Sequence, residues 1–321
     1  MMFDKLLETV RPLARTIKYG RLLRRAKVDA NHQENLSLEQ PVSFILGCGR
    51  SGTTILGKLL ALHSDACYLF EPYHTWRAIL PSTDMISLYG EVKGGSQCII
   101  GAEGVTENVM QRFNACMRRE SMRSGKSSLV LIEKTPINAM RIPMLSALSP
   151  HSPILHLVRN GIDVVRSIDR LASTNSYKMM GKGDWNQWWG RDHCKWKSLA
   201  SDSIAHGYFP DEIEQLSTNI EMGALEWLVS LKEIEKNRIS LGDRLLEVAY
   251  GDLTRSPEKE LTKICEHLTI TPYSTWLQKS CSKLDSARKN TGDPLILPIK
   301  MCEAFNSFQE QYKFDGQAIP K

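Results

Sequence analysis

Apolar and polar positions follow a repeating order along this chain: a short apolar run, a turn, then apolar positions at helical spacing. Phe44-Ile45-Leu46 leads into Gly47-Cys48-Gly49-Arg50-Ser51-Gly52, and Ile55, Leu56, Leu59, Leu60 and Leu62 follow. The pattern predicts strand, tight loop and helix. A second strand is predicted over Ala66–Phe70, ending in Glu71-Pro72. A third, Ser128–Ile132, runs into Glu133-Lys134-Thr135-Pro136, where Thr135 is placed to cap a helix beginning at Pro136. A fourth, Ile154–Val158, is followed by Arg159-Asn160-Gly161 and a helix with Val164, Val165, Ile168 and Leu171 inward. The last clear strand is Leu245–Tyr250, then a turn at Gly251-Asp252-Leu253 and a helix opened by Ser256-Pro257-Glu258. Strands alternating with helices predict an α/β fold: a single domain with a central parallel sheet flanked by helices, like that of phosphate-loop NTPases.

The flanks read differently. Residues 1–28 carry eight Lys and Arg against Asp4 and Glu8, with apolar positions at partly helical spacing. Pro12 and Gly20 interrupt that spacing, so short helices are expected rather than one straight one. Their basic face suits either solvent or weak contact with a membrane surface. Asn31–Gln40 is polar, so residues 1–40 are assigned as basic segment and linker and 41–321 as the domain. Residues 173–240 form a mainly helical insertion with Trp185, Trp188, Trp189, Trp196 and Trp227, for which packing between helices is the commoner outcome and stacking on an acceptor ring the alternative. The polar stretch 280–298, with Lys283, Arg288 and Lys289, is a loop that either closes over a nucleotide or is simply solvated.

Composition narrows the classes. An apolar share of 42% over 321 residues is enough for a sizeable core, and Lys and Arg exceed Asp and Glu by 41 to 36, which suits an anionic ligand but not nucleic acid. The eight cysteines form no CxxC pair and have no histidines beside them at metal-ligand spacing, so they are expected as reduced thiols and no metal is expected. No apolar run approaches the ~20 residues that span a bilayer. The expected location is the cytoplasm, with the Golgi lumen as the alternative should an anchor be missing from the sequence.

The chemistry concentrates at the ends of the predicted strands, where open parallel sheets bind ligands. Gly47-x-x-x-x-Gly52 has the spacing of a nucleotide phosphate loop, but Thr53 follows Gly52 where that loop carries lysine. The missing lysine argues against a kinase or ATPase, which needs that charge on the β- and γ-phosphates. Arg50 puts a cation inside the loop instead, and Ser51, Gly52, Thr53 and Thr54 stand at turn and helix-start positions that favour an anion. Glu71, Lys134 and Arg159 each follow or close a strand; Ser167, about two turns along the helix after Arg159, makes with it a second candidate phosphate site.

Taken together, Gly49–Thr54, Val158-Arg159-Asn160-Gly161 through Ser167, Glu133–Pro136 and Tyr250–Leu253 resemble the motifs of sulfotransferases that use 3′-phosphoadenosine 5′-phosphosulfate, in order and spacing, from about Val42 to Leu268. The tyrosylprotein sulfotransferase and related carbohydrate and bacterial branches are the most similar. The resemblance implies phosphosulfate at Arg50–Thr54, the 3′-phosphate at Arg159 and Ser167, nucleotide contact by Tyr250, and an acceptor hydroxyl on carbohydrate or protein tyrosine chosen by residues 173–240. It implies Glu71 as catalytic base, and Lys134, Arg50 and Ser280 as stabilisers of the transition state; Asn160 departs from the family's usual Asp. The rival readings are a phosphate-loop nucleotide kinase or NTPase, and a non-catalytic nucleotide-binding protein that docks through residues 1–28.

Overall fold

Five short apolar runs, each too short for a helix of the usual length, pair in the order β2-β3-β1-β4-β5, all parallel. They are β1 (Ser43–Leu46), β2 (Ala66–Phe70), β3 (Val130–Lys134), β4 (Ile154–Val158) and β5 (Leu245–Ala249). The structure is a computed structural model and describes residues 2–32, 38, 40–90, 95–125, 130–177, 187–284 and 293–321, with side chains from residue 14 onward. Every residue of β1, β3 and β4 is buried, while the edge strands β2 and β5 are only partly so. That is the demand of a parallel sheet covered on both faces, and it explains why the central strands read as continuous apolar runs rather than alternating ones.

Alternate residues feed two cores. Phe44, Leu46, Leu131 and Ile154 face one side, with Trp76 and Phe113; Ile45, Ile132, Leu155 and Leu157 face the other, with Leu56, Leu60 and Ile264. A third core joins the helices Gly161–Ser173, Asn219–Leu241 and Ile299–Gln311 around Trp227 and Phe305. The helix Asn219–Leu241 starts at a reciprocal capping box, Thr218 with Glu221, which satisfies two of the amides that a helix start leaves unpaired. A small parallel pair, β6 (Leu295–Leu297) with β7 (Ala318–Pro320), closes the chain. No helix among the described residues is long and apolar enough to cross a membrane.

Three local expectations are corrected. The basic segment is one helix, Met2–Asn31, running through Pro12 and Gly20. Pro12 takes a single bond from a ladder that continues on both sides, at a cost of about 3 kcal/mol. The second half docks on the helices Tyr73–Ile79 and Glu107–Arg123, burying Ala26 and Ala30 and pairing Asp29 with Arg123 at 2.6 Å. Second, the 3-10 helix Pro136–Met140 starts where predicted, but Thr135 does not cap it: its hydroxyl donates to Glu133 Oε1 at 2.6 Å. Third, Tyr250 opens a helix, Tyr250–Arg255, where a strand end and turn were expected. Most of the linker 31–40, Trp185 and the loop residues Arg288 and Lys289 lie outside the described residues.

Candidate active site

The carboxyl ends of the strands open into a cleft of about 630 Å³. Register decides which side chains meet there. Phe70 pairs with Lys134 across β2 and β3, so Glu71, one residue on, arrives beside Lys134, and its N–H donates to the Lys134 carbonyl at 2.9 Å. Val158 pairs with Ala249 across β4 and β5, so Arg159 and Tyr250 leave the sheet side by side, the guanidinium 4.8 Å from the centre of the phenol ring.

The loop after β1 forms the cationic end of the cleft, with Arg50 and Arg159. Gly52 has φ of 99°, and a Cβ there would lie 2.5 Å from the Tyr250 ring, so only glycine lets the loop pass. The helix Thr53–Leu60 begins with no side chain capping it, its first residues Thr53 and Thr54 line the cleft, and the first amides of a helix lack partners one turn back. Arg50, itself at φ of 74°, donates from Nε to Ser167 Oγ at 3.0 Å, and its carbonyl accepts from Arg159 Nη1 at 3.3 Å. Burial first, and then the neighbouring Arg159, lower the Arg50 pKa from its ordinary value. An anion between the two would relieve that crowding.

Glu71 and Lys134 form the middle of the cleft. Lys134 is fully buried, and its ammonium meets Glu71 Oε1 at 2.5 Å. Burial lowers the lysine's pKa, and Glu71 opposes that as the largest raising influence. Behind it, Glu133 faces the opposite way, accepting from Trp76 Nε1 at 2.8 Å and Asn138 Nδ2 at 3.2 Å. Glu71 itself has φ of 44°, an uncommon conformation for a residue with a side chain. The backbone turns there from β2 into the helix Tyr73–Ile79.

The far end is aromatic. Tyr73, Tyr89, Tyr177 and Trp188 line it, with Tyr177 and Trp188 edge to face at 5.0 Å. Beneath them Lys195 bonds both oxygens of Glu226 at 2.8 Å, and Glu226 also accepts from Trp188 Nε1 at 2.8 Å. Trp188 lies against the phosphate loop: a Cβ on Gly49 would be 2.8 Å from its ring.

Of the residues singled out in the sequence, Arg50, Gly52, Thr53, Thr54, Glu71, Lys134 and Arg159 line this one cleft. Ser167 and Tyr250 stand directly behind it, on Arg50 and on Gly52 and Arg159. Ser51 is buried, its N–H donating to the Cys48 carbonyl. Ser280 is not brought to the cleft lining; it is a buried residue of the helix Ser274–Cys281, and its hydroxyl has no hydrogen-bond partner among the described residues. Asn160 caps the helix Gly161–Ser173 through Ile162 N and donates to the Asp315 carbonyl, a pair of roles that a carboxylate cannot fill. The acidic partner of Arg159 is instead Asp163, one turn on, at 3.4 Å. Lys58, Tyr73, Tyr89, Tyr177, Lys195 and Glu226 went unread in the sequence. Lys58 has a signal, a cation one turn into the helix after the loop; the others come from separate elements and no local spacing joins them.

Residues 41–206 match the model of the sulfotransferase family. Over 143 residues the chain is 29% identical to protein-tyrosine sulfotransferase 2 of Gallus gallus, a match that takes in 44% of this chain and spans only 37% of that relative's length. Among solved structures, the sulfotransferase domain from the curacin biosynthetic pathway is similar in fold, with a TM-score of 0.52 and 16% identity over 87% of this chain and 99% of that one. The sulfotransferase domain from the Synechococcus PCC 7002 olefin synthase gives a TM-score of 0.48 at 18% identity, over 88% and 98%.

Proposed function

The chain belongs to the sulfotransferase family, and within it we propose that this protein moves a sulfuryl group from 3′-phosphoadenosine 5′-phosphosulfate to an acceptor hydroxyl, with Glu71 as the base. One observation carries the reading: Glu71 and Lys134, far apart in sequence, meet at 2.5 Å in the cleft that the phosphate loop also lines. A base and a cation in that relation are what transfer from a sulfate donor to an alcohol requires, since a proton must leave the acceptor and negative charge must be met at the leaving oxygen.

The residues fit a phosphosulfate nucleotide. The loop admits only glycine at 52, the helix start behind it carries no competing cap, and Arg50 and Arg159 crowd one another at its rim. Thr53, Thr54 and the loop amides would hold the 5′-phosphate, and Arg159 with Ser167 the 3′-phosphate, Tyr250 supporting the nucleotide from below. The bound donor supplies an activated sulfuryl group. Glu71 takes the acceptor proton, while Arg50 and Lys134 present positive charge to the leaving side. The aromatic end, with Tyr73, Tyr89, Tyr177 and Trp188, offers flat apolar faces to the ring of a tyrosine or of a sugar. The name of the Gallus gallus relative supports the first of these.

The test uses labelled donor, a panel of tyrosine peptides and saccharides, and mass spectrometry to locate the transferred group. Glu71→Gln and Lys134→Ala are expected to keep affinity for 3′-phosphoadenosine 5′-phosphate and to lose turnover by about 10²–10⁴-fold, the usual worth of positioned acid–base groups. Full turnover in both variants would remove these roles.

A further inference from the structure

We propose that Tyr73 is a positioning residue for the base: its hydroxyl donates to Glu71 Oε2 while Lys134 holds Oε1, so the carboxylate is gripped at both oxygens and can present only its remaining lone pairs to the acceptor. The inference rests on the reading of Glu71 as the base. Tyr73 Oη lies 2.5 Å from Oε2, and Lys134 Nζ 2.5 Å from Oε1. A carboxylate has about four lone-pair sites, so two contacts still leave it able to accept a proton.

The backbone explains why the grip is needed. Glu71 stands in the left-handed region, and the Tyr73 N–H donates to the Glu71 carbonyl at 2.7 Å, closing a tight turn over Pro72. In that turn Tyr73, the first residue of the helix Tyr73–Ile79, folds back over Glu71, two positions before it. The same turn therefore sets both the direction of the carboxylate and the position of the phenol that holds it. Burial holds the Tyr73 hydroxyl protonated far above its ordinary range, so it serves as a donor at any working pH.

Among the described residues, the other groups around the carboxylate are these. Lys134 comes from β3 and is itself opposed by the Arg50 charge. Tyr68 of β2, Tyr89 of the helix Met85–Gly90 and Tyr177 after the helix Gly161–Ser173 all feel the Glu71 charge. Glu133 also acts on Tyr68, but its own bonds lie on the far face with Trp76, Thr135 and Asn138. Among the described residues, Tyr73 is the phenol that bonds the carboxylate. A donor to the ionised form favours that form, so removing it should make the carboxyl hold its proton to higher pH.

The test is Tyr73→Phe in the full chain, with a readout that needs neither donor nor acceptor. Protein labelled at the glutamate carboxyl carbon is titrated by NMR without ligand, and the Glu71 signal is identified by its loss in Glu71→Gln. The expected result is a titration midpoint about one pH unit higher in the Phe variant, the worth of one hydrogen bond to a charged group. Unfolding should stay cooperative, lowered by no more than the linked equivalent of that one pH unit, and affinity for 3′-phosphoadenosine 5′-phosphate should be unchanged. With an acceptor from the panel, the acid limb of kcat/KM should move up by the same amount. An unmoved midpoint overturns the proposal, as does a Phe variant that no longer unfolds cooperatively or binds the nucleotide, which would give Tyr73 a packing role. If Glu71→Gln retains full turnover while the midpoint still moves in Tyr73→Phe, the contact stands and the reading of Glu71 as base is what fails.

Discussion

Stability should fall as pH rises through the range below neutrality, and Glu133 should be the cause. This carboxyl is fully buried on β3, one residue before Lys134. Burial pushes it up from 4.5 to about 7, against the opposing hydrogen bonds from Thr135, Trp76 and Asn138. A buried carboxyl that titrates higher in the fold than in the unfolded chain binds an extra proton in the fold between those two values. Stability from that proton is complete below the unfolded value, is lost as pH rises, and levels off above the folded one. At about 1.4 kcal/mol per pH unit the loss from pH 4.5 to above 7 is on the order of 3 kcal/mol. Glu133→Gln keeps an acceptor for Trp76 and Thr135 and removes the titration. Urea unfolding of both proteins at a series of pH values reads the difference directly. The wild type is expected to lose about 3 kcal/mol relative to the Gln variant across that window. Parallel curves for the two proteins between pH 5 and 8 would refute the reasoning.

Two further substitutions probe the cleft. Gly52→Ala puts a Cβ 2.5 Å from the Tyr250 ring in a left-handed backbone; it is expected to cost about 1–3 kcal/mol and to weaken binding of 3′-phosphoadenosine 5′-phosphate in calorimetry, and unchanged affinity would show that the loop has room to move. Lys195→Met leaves the Glu226 carboxylate buried without its cation and is expected to destabilise by about 3–5 kcal/mol, with much of that recovered in Lys195→Met/Glu226→Leu; equal losses in single and double variants, measured by urea unfolding, would count against a desolvated pair.

The site is unevenly legible in the amino-acid sequence. The phosphate loop, the strand ends and the cations at them were legible because each is a local event: a glycine spacing, an apolar run, a charged residue one step past its end. The contacts among them were not. Ser167 was paired with Arg159 on the strength of helical spacing, yet its bond goes to Arg50, more than a hundred positions away. Tyr73 carries no local signal in the sequence, because the turn that folds it onto Glu71 depends on a left-handed residue that the sequence does not mark. Trp188 packs in the core, as the commoner reading had it, and also forms a wall of the cleft.

What the amino-acid order determined by itself was therefore the kind of fold and the kind of chemistry. Alternating apolar runs and helical spacings dictate a covered parallel sheet, and a glycine-rich loop without its lysine, followed by cations at later strand ends, argues for an anion site and against a kinase or ATPase. What only the tertiary structure decided was which of those residues face each other. Parallel register set Glu71 beside Lys134 and Arg159 beside Tyr250, and helix packing brought Trp188, Lys195 and Glu226 under the loop. Strand register and helix docking are fixed by burial summed over the whole core, and no short window of sequence contains that sum.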